Sequence, residues 1–80
     1  MKTTKQEIQN FLISFIEKTF LYINTEGIES AVLKGRIDSL DVIELVMGIE
    51  DEYNIKIPND EVQGWKKFQD IVDSVYKKLK

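Results

Sequence analysis

The 80-residue chain contains no cysteine and no histidine. These absences remove thiolate nucleophiles, disulfides, zinc sites built on sulfur or imidazole, and the usual general base near neutral pH. Any acyl or thiol chemistry must therefore be brought by a cofactor or a partner. With no cysteine to argue for an oxidising compartment, the chain reads as cytoplasmic. A long hydrophobic run is also lacking. The apolar stretch from Phe11 to Ile23 is interrupted by Glu17-Lys18, is shorter than the ~20 apolar residues of a membrane span, and leads to no small-residue cleavage site. No membrane association is expected. Eighty residues make a single domain, 1–80, able to bury roughly 60–65% of its unfolded surface. Its stability belongs at the low end of the usual range, and it has no room for a deep cleft between two lobes.

What is present is charge, unevenly placed. The net charge of −3 hides +1 over residues 1–37, −7 over residues 38–61 and +3 over residues 62–80. The middle segment holds Asp38, Asp41, Glu44, Glu50, Asp51, Glu52, Asp60 and Glu61 against Lys56 alone. A potential of this shape steers cationic partners toward that segment and repels phosphate backbones, so nucleic acid is not an expected partner.

Four apolar-periodic segments occur, and no alternation long enough for a strand competes with them. Ile8, Phe11, Leu12, Phe15, Ile16 and Thr19 recur at three and four, the stripe of an amphipathic helix. Thr4 with Glu7 fits a capping box, and Gly27 places the helix end between Phe20 and Asn24. A long connection follows, over about residues 22–37, with Tyr22, Ile23, Ile28, Val32 and Leu33 to pin it to the core; a connection this long usually carries function or a short turn. Gly35 frees the backbone before Ile37.

The second helix starts at Asp38 or Ser39 and reaches Tyr53 or Asn54. At 100° per residue from Asp41, Ile49, Val42, Tyr53 and Val46 fall at about 80–140° and define a core face. Asp41, Glu44, Asp51 and Glu52 lie opposite, while Leu40 and Met47, at about 240–260°, border the acidic strip. Ile55-Lys56-Ile57-Pro58 reads as an extended link. Asn59 can cap a short helix that Gly64 ends. Phe68, Ile71, Val72, Val75, Tyr76 and Leu79 mark a last helix, with Lys77, Lys78 and Lys80 suited to its C-terminal dipole. The expectation is an all-α fold, a small four-helix bundle of three main helices and one short one with a long first loop.

Ser39 has two readings. A serine before an apolar run is ordinarily a cap whose oxygen accepts an orphan backbone N–H. The adjacent Asp38 can also cap, which leaves the Ser39 hydroxyl available for other work. A hydrolytic role has no support, since neither a base nor a Gly-x-Ser-x-Gly elbow is present.

Asp38-Ser39-Leu40-Asp41-Val42-Ile43-Glu44-Leu45-Val46-Met47 resembles the phosphopantetheine attachment region of acyl carrier proteins. Ile49-Glu50-Asp51-Glu52-Tyr53-Asn54-Ile55-Lys56-Ile57-Pro58 continues the match, so about a quarter of the chain is covered contiguously. The resemblance implies that a phosphopantetheinyl transferase, using magnesium, moves 4'-phosphopantetheine from coenzyme A to the hydroxyl of Ser39. The arm then carries an acyl group as a thioester, and the chain itself is not an enzyme. Its thiol is the one the sequence lacks. By the same resemblance, the second helix is recognised by the basic patches of acyl-transferring or synthase enzymes. Asp38, Asp41, Glu44, Glu50 and Asp51 are then the acidic contacts, with Leu40 and Met47 the apolar ones. Single carboxylates opposite an apolar stripe are usually just a solvated face, but this density of like charge costs the helix stability.

Val32, Ile37, Val42, Val46, Ile49, Ile57, Val62, Phe68 and Ile71 are candidates to line a pocket for the acyl chain, against the plainer reading that they only pack. Trp65 stands where the short helix ends, placed to plug the core or to narrow such a pocket. No dedicated metal loop is present. Fatty-acid carriers commonly have a Leu-Gly pair and a small residue before Asp-Ser-Leu. Gly35-Arg36-Ile37 stands here instead and is more similar to carriers of specialised pathways. The expected protein is a monomeric carrier of fatty-acid or specialised acyl or polyketide biosynthesis. An aminoacyl or peptidyl carrier using the same serine is a close alternative, and an unmodified acidic helical adaptor is the alternative from another class.

Overall fold

Thr4 and Glu7 start the first helix by satisfying each other's backbone. The Glu7 N–H donates to Thr4 Oγ1 at 3.2 Å, and the Thr4 N–H donates to the Glu7 carboxylate at 3.0 Å, the reciprocal capping box anticipated from the sequence. Helix α1 then runs Lys5–Thr19 and closes on Phe20, burying Ile8, Leu12 and Ile16 along one stripe. The computed structural model describes residues 3–20, 24–33 and 37–79, the side chains of Glu29 and Ser39 excepted. Tyr22, Ile23, Gly35, Arg36 and Lys80, on which expectations fell, lie outside the described residues.

Within the long connection, Gly27 takes a φ of 70° and leads into one 3₁₀ turn, Ile28–Ser30. A side chain rarely tolerates that backbone region, which explains the glycine. Ile28 and Leu33 are buried as expected. Val32 is not: it is 52% exposed. The reason is a local antiparallel pairing, in which Val32 lies opposite Lys67. The Leu33 N–H donates to Lys66 O at 2.8 Å and the Phe68 N–H to Ala31 O at 3.1 Å. Consecutive residues of an extended segment point to opposite sides, so burying Leu33 turns Val32 outward.

Helix α2 spans Ser39–Tyr53, α3 Asn59–Gln63 and α4 Phe68–Leu79. Asn54, at φ 55°, ends α2 in the left-handed conformation that asparagine tolerates. Among the described residues no strand forms, only isolated bridge residues such as Val32 and Lys67, and the fold is the small helical bundle that the sequence predicts. α3 starts one residue off expectation. Pro58 occupies the cap position and Asn59 is the first helical residue. The Pro58 carbonyl accepts from the Glu61 and Val62 N–H groups, so the proline sets the entry and no side-chain cap is made.

The core is shared by α1, α4 and the inner face of α2. Leu45 and Ile49 of α2 are fully buried, whereas Val42, Val46 and Tyr53 are only half-buried. The centre of the buried face thus lies between Leu45 and Ile49, rotated from the face read off the helical wheel. Gly48 accounts for the rotation. A Cβ built there would fall 2.6 Å from Phe15 Cζ, so α2 presses its glycine against an α1 aromatic ring. Phe11 extends that seam, with its ring 5.9 Å from Phe15 and edge-on to Tyr53 at 5.5 Å.

Asp70 caps α4 by accepting from the Lys67 N–H at 2.9 Å and the Lys66 N–H at 3.0 Å. Those two backbone bonds, Lys67 first, hold its carboxyl below the usual carboxylate range. A folded pKa below the unfolded one stabilises above the unfolded value of about 3.9, and the benefit is lost as pH falls through the folded pKa. Asp70→Ala is expected to cost about 0.5–1 kcal/mol at pH 7, a capping loss at an exposed site. Urea titrations should show that difference shrinking below about pH 4.

Candidate attachment site and partner face

Ser39 is the first residue of α2 and Asp38 its cap, with extended backbone at φ −63° and ψ 148°. The Asp38 side chain makes no capping hydrogen bond. The amides of the first helical turn are therefore not covered by the capping carboxylate, and a helix start of this kind favours a phosphate group. The first three turns of α2 also present apolar side chains to solvent: Leu40 is 72%, Ile43 56% and Met47 63% exposed. Leu40 and Met47 were singled out in the sequence. Ile43 was not, although its spacing of three from Leu40 and four from Met47 is the signal that places it on the same stripe.

The carboxylates divide into two kinds. Asp38, Glu44 and Asp51 are exposed and Asp41 is half-buried; Asp41, Glu44 and Asp51 border the apolar stripe on one side and Asp38 stands just ahead of the helix. Glu50 is half-buried and serves the fold, because its carboxylate accepts the Ile57 N–H at 2.8 Å and so secures the link into Pro58. The resemblance places it among partner contacts, and the structure gives its carboxylate an internal bond as well.

An apolar cavity of about 360 Å³ opens beside the first two turns of α2. Four of the nine pocket candidates, Ile37, Val42, Val62 and Ile71, line it. Val32 faces solvent, while Ile49, Ile57 and Phe68 are buried in the core and Val46 packs at its edge; none of these five lines the cavity. The lining adds Leu33, Ile43, Leu45 and Trp65, with Asn59, Gln63, Lys66 and Lys67 as its polar members. Val42 and Ile43 lie three and four residues beyond Ser39, so the cavity begins one helical turn from that residue.

Trp65 is the chain's single tryptophan. Its indole N–H donates to Ser74 Oγ on α4 at 2.8 Å. A second tie, Lys78 Nζ to Glu61 at 3.0 Å, joins α3 to α4 with both side chains mostly covered. No group of three or more potential metal ligands occurs among the described residues, and no described helix is long and apolar enough to cross a membrane.

A family model described as the phosphopantetheine attachment site matches residues 18–75. The chain belongs to this family. Phosphopantetheine is thus the prosthetic group of this family. Among curated relatives, this phosphopantetheine-attachment protein is 46% identical over 43 residues to an acyl carrier protein of Porphyromonas gingivalis, covering 54% of this chain and 55% of that one. It is 40% identical over 42 residues to an acyl carrier protein of Thermosynechococcus vestitus, covering 52% of each. The chain thus spans about half the length of the curated relatives it matches. The crystal structure of an acyl carrier protein from Thermotoga maritima superposes with a TM-score of 0.77 at 28% identity, over 94% of this chain and 89% of that one. The four-helix arrangement is therefore that of an acyl carrier protein.

Proposed function

We propose that this phosphopantetheine-attachment protein is an acyl carrier modified on Ser39, which holds acyl intermediates for enzymes of fatty-acid or specialised acyl biosynthesis. The observation that carries the reading is the position of Ser39 within the matched span. That span contains three serines, Ser30, Ser39 and Ser74. Ser74 is half-buried and already accepts the Trp65 indole N–H. Ser30 closes a single 3₁₀ turn of three residues and opens no helix of its own. Ser39 opens a helix of 15 residues whose cap leaves the first amides uncovered by its side chain. The prosthetic group supplies the thiol that this chain lacks.

The chain's own residues then do three things. The first turn of α2 offers backbone N–H groups to the phosphate of the arm. The exposed stripe of Leu40, Ile43 and Met47, bordered by carboxylates, offers a partner both apolar contact and attraction for basic side chains. The neighbouring cavity shelters an acyl chain, while catalysis is left to the partners.

Intact mass after incubation with coenzyme A, magnesium and a promiscuous phosphopantetheinyl transferase tests the attachment. The wild type should gain one phosphopantetheine and Ser39→Ala none. Unmodified wild type across several transferases would return the protein to the class of acidic helical adaptors.

A further inference from the structure

We infer that Trp65, pinned by Ser74, sets the length of acyl chain this protein shelters and restricts it to short and medium chains; the inference rests on the carrier reading above. Trp65 contributes the largest side chain to the cavity lining and is itself half-buried there. It cannot swing aside without giving up its hydrogen bond to Ser74 and its packing in the cavity wall.

Its backbone is fixed as well. The Trp65 N–H donates to Val62 O at 3.1 Å. The following residue, Lys66, donates its N–H to Asp70 and accepts the Leu33 N–H on its carbonyl. The wall on the α3 side is held to α4 by the Glu61–Lys78 pair. Indole and α3 therefore form one wall braced against α4 by two side-chain ties, and a longer chain would have to break them to enlarge the space.

The capacity of that space is small. A volume of about 360 Å³ sits near the low end for ligand pockets. At roughly 30 Å³ for a unit the size of a water molecule, a partly open cavity of this volume holds on the order of ten carbons or fewer.

The sole tryptophan is also the reporter. Wild type, Trp65→Phe, Trp65→Ala and Ser74→Ala are loaded from acyl-coenzyme A of increasing chain length by a promiscuous phosphopantetheinyl transferase with magnesium, adenosine 3',5'-bisphosphate leaving. Loading is verified by intact mass. In wild type, tryptophan emission should shift to the blue and the melting temperature should rise with chain length, both levelling off at about ten carbons. In Trp65→Ala the rise in melting temperature should continue for several carbons more. Ser74→Ala keeps the ring and removes only the pin, so its emission should lie to the red before loading and its limit should also move to longer chains. It decides the matter if Trp65→Ala does not fold. Trp65→Phe, aromatic but without the N–H, should fall between wild type and Trp65→Ala. Loaded wild type whose emission and melting temperature ignore chain length would overturn the inference and leave the carrier reading standing. So would a limit that Ser74→Ala leaves unchanged. Absence of any mass increase would instead overturn the carrier reading itself.

Discussion

Phe68→Ala is expected to lower stability by about 3–5 kcal/mol, most of what a domain of this size possesses. Phe68 is fully buried. It is the first residue of α4, its N–H is bonded to Ala31 O, and Asp70 caps the same turn. Its truncation leaves a hole where α4 meets the long connection, and two backbone-bonded segments cannot easily collapse into it. Urea unfolding followed by circular dichroism measures the loss. Phe68 does not line the cavity beside α2, so the damage should be to the fold and not to the choice of cargo. Phe68→Leu, which keeps most of the volume, should cost about 1.5 kcal/mol or less. If the two variants lost equal stability, Phe68 would not be filling the core.

The second large effect is expected at Gly48, and its sign runs against helix propensity. A glycine inside an exposed helix is worth replacing, since alanine is better by about 1 kcal/mol. Here the new Cβ enters the space of the Phe15 ring. That ring is itself packed against Phe11 and, edge-on, against Phe20. Overpacking of this kind costs about 1–3 kcal/mol, so Gly48→Ala should be neutral to destabilising instead of stabilising. Gly48→Leu, with three further carbons directed at α1, should cost roughly 3 kcal/mol or more. Thermal melts of both variants check the order. A Gly48→Ala protein more stable than wild type by the full propensity difference would show that α1 and α2 do not need this close approach.

Most helix positions were legible because they rest on signals within the chain. The Thr4–Glu7 box starts α1, and the run from Phe68 to Leu79 repeats at three and four until α4 ends. What was not legible depends on how elements meet. The wheel of α2 showed a stripe but not its centre, because Gly48 lets α1 approach from one side and moves burial toward Leu45. Val32 and Leu33 are equally apolar neighbours, and only the pairing with Lys66 and Phe68 decides which turns inward. The cavity draws on α2, α3, the residues after α3 and the long connection, so pocket candidates chosen one helix at a time mixed lining residues with core residues such as Ile49 and Phe68. The bond from the Ile57 N–H to Glu50 was not legible because it crosses the end of a helix, where neither charge patterning nor helical spacing gives a direction.

The pairing of residues 31–33 with 66–68 also bears on how the protein reaches its native state. Helices form from neighbours within about a microsecond, and helical bundles owe their fast folding to such local contacts. This clasp joins positions more than thirty residues apart and requires closing the loop that contains all of α2 and α3, at an entropic cost that local contacts do not share. Its amides on Leu33 and Phe68 report a non-local closure that adds to the still more distant packing of α4 on α1, and folding should be slower than helix content alone suggests.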